Sequence, residues 1–303
     1  MPYTAEISRS NPSCFLFLID QSGSMEDVLD PSNVQALDKP MVVDGRTYTH
    51  SASGRTKAQG VADAINRLLQ TLIIKCARAD GVRDFYHVGV IGYGGDNTAN
   101  RVSPAFGGTL AGRDLVPLSE IANSPARIEE RTKKVEDGAG GLVDQNMKFP
   151  IWFEPVANGG TPMCQALTKV RTIVQDWLQQ HSTCFPPIVI NITDGEATDG
   201  DPLPSAEALQ SLTSSDGNVL LFNVHISSQK AAPIEFPDND SALPDQFGKH
   251  LFRMSSVLPA YMQAMARQEG IAATESTRGF VFNADMVAVI RFLDIGTRPS
   301  NLR

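Results

Sequence analysis

Asp20, Ser22 and Ser24 stand at alternate positions directly after the apolar run Phe15–Ile19, within the stretch FLFLIDQSGSM that ends at Met25. Two more oxygen-bearing residues lie far along the chain: Thr161 in Gly159-Gly160-Thr161-Pro162, and Asp194 in Thr193-Asp194-Gly195. Together they offer carboxylates and hydroxyls and nothing soft, a set that suits a hard divalent cation. Few carboxylates among several neutral oxygens suit Mg²⁺, which wants octahedral geometry and keeps some of its water; Mn²⁺ fits as well. If the hydroxyls touch the ion while an aspartate acts through water, the ion keeps positive character and attracts an external carboxylate. Each piece also has a local reading. The Asp-x-Ser-x-Ser run can cap backbone groups of a strand-end turn, Thr161 can be a plain helix N-cap, and Asp194-Gly195 a plain turn.

These residues need elements that deliver them to one place. An apolar run ending at turn residues suits a parallel strand covered on both faces, and ligands of open α/β sheets sit beyond the carboxyl ends of such strands. Pro187 to Asp194 repeats the pattern of an apolar strand closing on an aspartate, and Phe85 to Tyr93 and Val219 to Ile226 read as further strands. Apolar residues at helical spacing predict helices over Thr56 to Ala79 and from Thr161, as N-cap, with Pro162 first in the helix, to about His181. Shorter helices are expected at Ser205 to Leu212, Leu258 to Arg267 and Met286 to Leu293, strands at Ile151 to Val156 and, at the sheet edge, Gly279 to Asn283. The alternation predicts an α/β fold, a doubly wound, mostly parallel central sheet flanked by helices, in a single domain over residues 1–303.

Two segments fit the alternation poorly and read as insertions, at about 25–55 and 94–148. The first holds a hairpin around Met41 to Thr49 turning at Asp44-Gly45. The second holds an apolar piece at Leu115 to Leu118, a charged helix near Ala126 to Val135 and the glycine run Gly138 to Gly141. The loop from Ser227 to Phe247, with Pro233, Pro237 and Pro244, is expected to be irregular.

Of the residues 42% are apolar and 20% charged, as in a water-soluble globular protein, and the net charge is -8. That acidity argues against nucleic acid, because the basic residues are scattered; the densest group, Arg127 to Lys134, is interleaved with Glu129 and Glu130. No apolar stretch approaches the ~20 residues that cross a bilayer, and the N-terminus lacks a secretion-signal pattern, so the expected location is cytoplasmic and no membrane partner is expected. Cys14, Cys76, Cys164 and Cys184 form no CxxC pair and read as reduced thiols. Cys164 packs, although a place near a helix start can lower a thiol pKa. His87 and His225, inside strands, read as satisfied residues. No catalytic motif is recognisable.

With its Asp20-x-Ser22-x-Ser24 motif, distant Thr161 and later Asp194, the chain resembles the von Willebrand factor type A (VWA) family with its metal-ion-dependent adhesion site. The resemblance covers most of the chain except the two insertions. It implies a Rossmann-like sheet, a metal held by Asp20, Ser22, Ser24, Thr161 and Asp194, and a protein partner whose Glu or Asp completes the coordination. Some relatives place a second ion beside the first, for which Asp27 is the candidate ligand with Glu26 and Asp30 assisting; the plainer reading is a solvated acidic loop. Glu196, Asp199 and Asp201 are candidates for the rim. The form DQSGSM with TDGEATDG is similar to intracellular prokaryotic members, which serve as adaptors of AAA+ ATPases or act with kinase and phosphatase systems in signalling, stress or defence. Two alternatives stay open. One is a metal-dependent hydrolase such as a phosphatase, with Glu196, Asp199 or Asp27 as base; the other is a purely structural metal site.

Overall fold

The computed structural model describes residues 3–29, 34–43, 46–52, 55–94, 101–136, 142–227 and 232–297. The first strand, β1 (Ser13–Gln21), is buried throughout except at its last residue. A short 3-10 turn, Gly23–Glu26, follows it, and then an antiparallel pair, β2 (Val34–Val43) and β3 (Arg46–Ala52). The expected hairpin is present and longer than read; its turn residues, Asp44 and Gly45, lie outside the described residues, as does Asp30. Helix α1 (Lys57–Cys76) opens with a reciprocal capping box between Thr56 and Gln59, which satisfies two donors that a helix start leaves orphaned.

The segment 94–148 does more than interrupt the sheet. After β4 (Tyr86–Gly94), strands β5 (Arg101–Pro104) and β6 (Val116–Pro117) both pair antiparallel with β4 and extend the sheet, and α2 (Leu118–Asn123) follows. The charged helix expected near Ala126 to Val135 is instead β7 (Arg127–Glu136), paired antiparallel with β8 (Leu142–Ile151). A cross-strand partner decides the matter against local propensity. The Arg131 guanidinium lies 3.8 Å over the Phe149 ring and bonds Asp63 of α1 at 2.7 Å, contacts that tie the hairpin to the body. The strand expected at Ile151 to Val156 is only the last residue of β8 and an isolated bridge from Phe153 to Phe106.

Helix α3 (Met163–Gln180), β9 (Ile188–Thr193), α4 (Leu203–Gln210) and β10 (Leu220–Ile226) follow as expected, with small shifts of boundary. Beyond them β11 (Ile234–Glu235) interrupts the loop expected to be irregular, and α5 (Gln246–Met254), which was not expected, begins at that loop's end; Asp245 caps α5 through the Gly248 amide at 2.7 Å. Helix α6 (Ala260–Gln268), β12 (Phe280–Ala284) and α7 (Met286–Thr297) close the chain. Because β11 pairs antiparallel with β12, β12 is one strand in from the edge.

Among the described residues the eight-stranded sheet runs β11-β12-β10-β9-β1-β4-β5, with β6 also on β4. The parallel strands alone run β4-β1-β9-β10-β12, which in chain order is the 2-1-3-4-5 arrangement of doubly wound folds. Alternate side chains of β1 serve the two layers. Phe15, Phe17 and Ile19 pack in the cluster that holds α1, α6 and α7, whereas Cys14, Leu16 and Leu18 pack with α3, α4 and α5. The connections leave β1 and β9 in opposite directions, so the crevice between their carboxyl ends is the switch point where such sheets bind ligands. Asp20 and Asp194 stand at those ends.

Candidate metal centre at the switch point

Asp20 is completely buried at the end of β1. One of its oxygens accepts the Ser22 amide at 2.8 Å, and the other accepts the Thr193 hydroxyl of β9 at 2.6 Å. Its carboxylate therefore pins the turn after β1 to the neighbouring strand. That turn presents Ser22 and Ser24 side by side, their hydroxyls 3.1 Å apart, and Ser24 donates to Asp194 Oδ1 at 2.7 Å. Its backbone is locked to the loop before α3, since the Gly23 amide donates to the Gly159 carbonyl at 3.0 Å and the Asn158 amide to the Gln21 carbonyl at 2.6 Å. The two loops carrying Ser22 and Thr161 are thus tied to each other through their backbones.

Thr161 does not cap α3. The helix starts at Met163 after Pro162, and the Thr161 hydroxyl has no hydrogen-bond partner among the described residues, although the residue is buried. The cap comes from another loop: the Asp199 carboxylate accepts the amides of Cys164 and Gln165 at 3.1 and 3.0 Å, satisfying donors at the helix start. Thr198 holds the Thr161 backbone on both sides, with its hydroxyl taking the Thr161 amide and its amide donating to the Thr161 carbonyl. Asp199 therefore frees the Thr161 hydroxyl for other use, and a Cβ added at Gly195 would lie 3.7 Å from that oxygen, which places it beside the Asp194 loop.

The serine pair is compatible with an octahedral ion: at Mg–O distances of 2.0–2.1 Å neighbouring ligands are about 2.9 Å apart, and the two serine hydroxyls, which share a hydrogen bond, are 3.1 Å apart. No three His, Cys, Asp or Glu side chains among the described residues form a metal cluster, so any ion here depends on hydroxyls.

Sequence reading missed the residue that completes the cluster. Lys57, the first residue of α1, extends its ammonium to Asp194 Oδ2 at 2.8 Å and to Asp27 Oδ2 at 3.1 Å. Its side chain is 7% exposed and that of Asp194 is fully covered, whereas Asp27 is 62% exposed. A lysine just after a helix cap ordinarily points to water, so nothing in the sequence marked it. Asp27 is thus brought to the site, but as the ammonium's partner; Glu26 and Glu196 are exposed, and Asp201 holds the Leu203 amide at the start of α4.

Burial sets the electrostatics. It pushes Asp20 up to about 6, outweighing the hydrogen bonds from Ser22 and Thr193. Burial also works against a charged Lys57, but the hydrogen bonds and charges of Asp194 and Asp27 outweigh it and hold the ammonium above its ordinary value. His225, pushed down to about 4 by burial, is neutral; it stacks on Phe282 and accepts the Asn283 amide. With Lys57, Asp194 and Asp245 it lines a cleft of about 350 Å³ next to the serine turn. The thiol of Cys164 goes up, to about 11, through burial and the nearby Asp199, so the helix start does not activate it. All four cysteines are free, and His87 accepts the Trp177 indole N–H at 2.9 Å.

No family model and no curated protein matches the sequence. Among solved structures the chain is similar to the pilus adhesin SpaC from Lactobacillus rhamnosus GG, with 13% identity and a TM-score of 0.45 over 96% of this chain and 30% of that one. It is also similar to the vWF domain of the type V pili tip protein Mfa5 from Porphyromonas gingivalis, with 15% identity and a TM-score of 0.27 over 62% of this chain and 39% of that one. The chain spans well under half the length of each. Strand order and register, described above, carry the fold assignment. Among the described residues no helix is long and apolar enough to cross a membrane.

Proposed function

We propose that the chain is a VWA-type interaction module. In this reading Ser22, Ser24 and Thr161 hold a Mg²⁺ ion through their hydroxyls, with Asp20 and Asp194 supporting it, and a partner protein supplies a Glu or Asp to the ion. The single observation behind it is the hydroxyl triad at the switch point. Ser22 and Ser24 stand 3.1 Å apart, and the Thr161 hydroxyl, beside the Asp194 loop, has no hydrogen-bond partner among the described residues, Asp199 capping α3 in its place. A bound ion would supply a Lewis-acidic seat for one external carboxylate oxygen. The chain's own residues fix that seat: Asp20 fastens the serine turn to β9, and the Gly23–Gly159 bond keeps Thr161 in register with it.

The hydrolase reading has less support. Hydrolysis needs a base beside the metal-bound water or a second metal. Of the residues considered for that role, Asp27 is held by Lys57 and Asp199 by two helix amides, while Glu196 is exposed and lines a separate cavity with Phe247, His250 and Leu251.

Capture from the source cell tests the interaction. Immobilised protein should retain a partner in Mg²⁺ or Mn²⁺, release it in EDTA, and fail to retain it when Thr161→Ala replaces the wild type. Retention that is the same in EDTA, or the same with Thr161→Ala, would contradict the proposal.

A further inference from the structure

Lys57 is an unusual neighbour for a cation site. Its ammonium joins carboxylates from two separate loops, Asp194 after β9 and Asp27 after the serine turn, and lies 3.4 Å from the Ser24 carbonyl of that turn. The side chain is almost covered, and its partner Asp194 is covered completely. The same Asp194 carboxylate gives its other oxygen to Ser24, one of the hydroxyls that would face the metal. The ammonium and a divalent ion would therefore share one carboxylate, from its two sides.

We propose that Lys57 is a built-in cation of this site: it holds the serine turn and the Asp194 loop together when metal is absent, and it weakens the hold on a divalent ion when metal is present. The inference deepens the metal-site reading and rests on it for its second half. Two observations carry it independently. The first is the bridge itself: the charges on Asp27 and Asp194 repel, and a positive group between them removes that repulsion and leaves neither unpaired. The second is the sharing of Asp194: two positive charges served by one carboxylate repel even at the effective dielectric of a partly exposed site, so the ammonium would oppose the ion. An ion bound weakly on its own would depend more heavily on the carboxylate that a partner adds. The flanking groups do not alter the sign. His225 is neutral, and Asp245, which also lines the cleft, caps α5.

The test uses the full chain and Mg²⁺ alone. Mg²⁺ is titrated calorimetrically into the wild type, into Lys57→Met and into Lys57→Gln, and melting is followed for each in EDTA. Lys57→Gln keeps a hydrogen-bond donor for Asp194 without the charge, so it reports on affinity even if Lys57→Met folds poorly. The neutral variants should bind Mg²⁺ at least about tenfold more tightly than the wild type, melt at lower temperature in EDTA, and gain more from added Mg²⁺. If wild type and variants bind equally, Lys57 has no influence on the ion and the inference fails while the metal site stands. If only the variants bind, the metal-site reading fails for the wild type and Lys57 is confirmed as the resident cation. Binding by none of the three overturns the metal-site reading and the second half of the inference, and equal melting of the three in EDTA overturns the first half.

Discussion

Asp194→Asn is expected to remove Mg²⁺ binding, with a loss of affinity of more than about a hundredfold in a calorimetric titration. The substitution keeps the shape of the side chain and its hydrogen bond with Ser24, so the serine turn has no steric reason to move. Two electrostatic effects add. The site loses one of the two carboxylates placed to support the ion, and Lys57, now without its covered partner, keeps its charge beside the ion with only the exposed Asp27 to balance it. In chelator the variant should also melt earlier than the wild type, because the nearly covered ammonium has lost its shorter ion pair. The fall should be smaller than for a fully buried pair, since Asp27 remains and water reaches it. Mg²⁺ binding within a few-fold of the wild type would show that Asp194 plays no part in holding the ion.

The second large effect lies away from the site. Asn66, on the buried side of α1, takes the backbone amides of Trp152 and Phe153 on its oxygen, at 2.8 and 3.1 Å, and donates to the Phe153 carbonyl at 2.8 Å. It is 1% exposed, and Trp152 is 2% exposed. Asn66→Ala would take the side-chain partner from three backbone groups, next to a polar cleft of about 310 Å³ that Asn66 and Phe153 line. The expected cost is about 3 kcal/mol or more, read as a lower midpoint in urea unfolding. A cost under about 1 kcal/mol would mean that water enters and replaces the side chain. The effect bears on function because the same segment, after β8, leads into the loop that carries Thr161.

Much of the frame was legible because a few physical signals act over short range. The apolar run before Asp20, the similar run before Asp194 and the helical spacing after Thr56 each reflect burial on one or two faces, and the parallel core of the sheet is as they predict, with three antiparallel strands added to it. Elements decided by partners distant in sequence were not legible. Arg127–Glu136 carries enough charge for an exposed helix and becomes a strand because Leu142–Ile151 pairs with it and Arg131 finds Phe149 and Asp63. The site divides in the same way. Asp20, Ser22, Ser24, Thr161 and Asp194 could be chosen from residue type and order, and the structure gathers Asp20, both serines and Asp194 through direct hydrogen bonds. Thr161 joins them through backbone links, and the reason its hydroxyl is available, the cap from Asp199, depends on a loop some 35 residues later. Lys57 was hidden for a related reason. Only the fold turns a lysine at the start of α1 towards two carboxylates from other loops.

The hydroxyls of the site can be removed one at a time without changing its charge. Titration of Mg²⁺ into the wild type, Ser22→Ala and Thr161→Ala, in parallel with melting in EDTA, tests them directly. The wild type should bind a single ion, each variant should bind it at least about tenfold more weakly, and all three should be folded in EDTA, with Ser22→Ala melting a little earlier because it loses the Ser22–Ser24 hydrogen bond. Equal affinity in the three proteins, or no binding by the wild type, would contradict the metal centre proposed for this crevice.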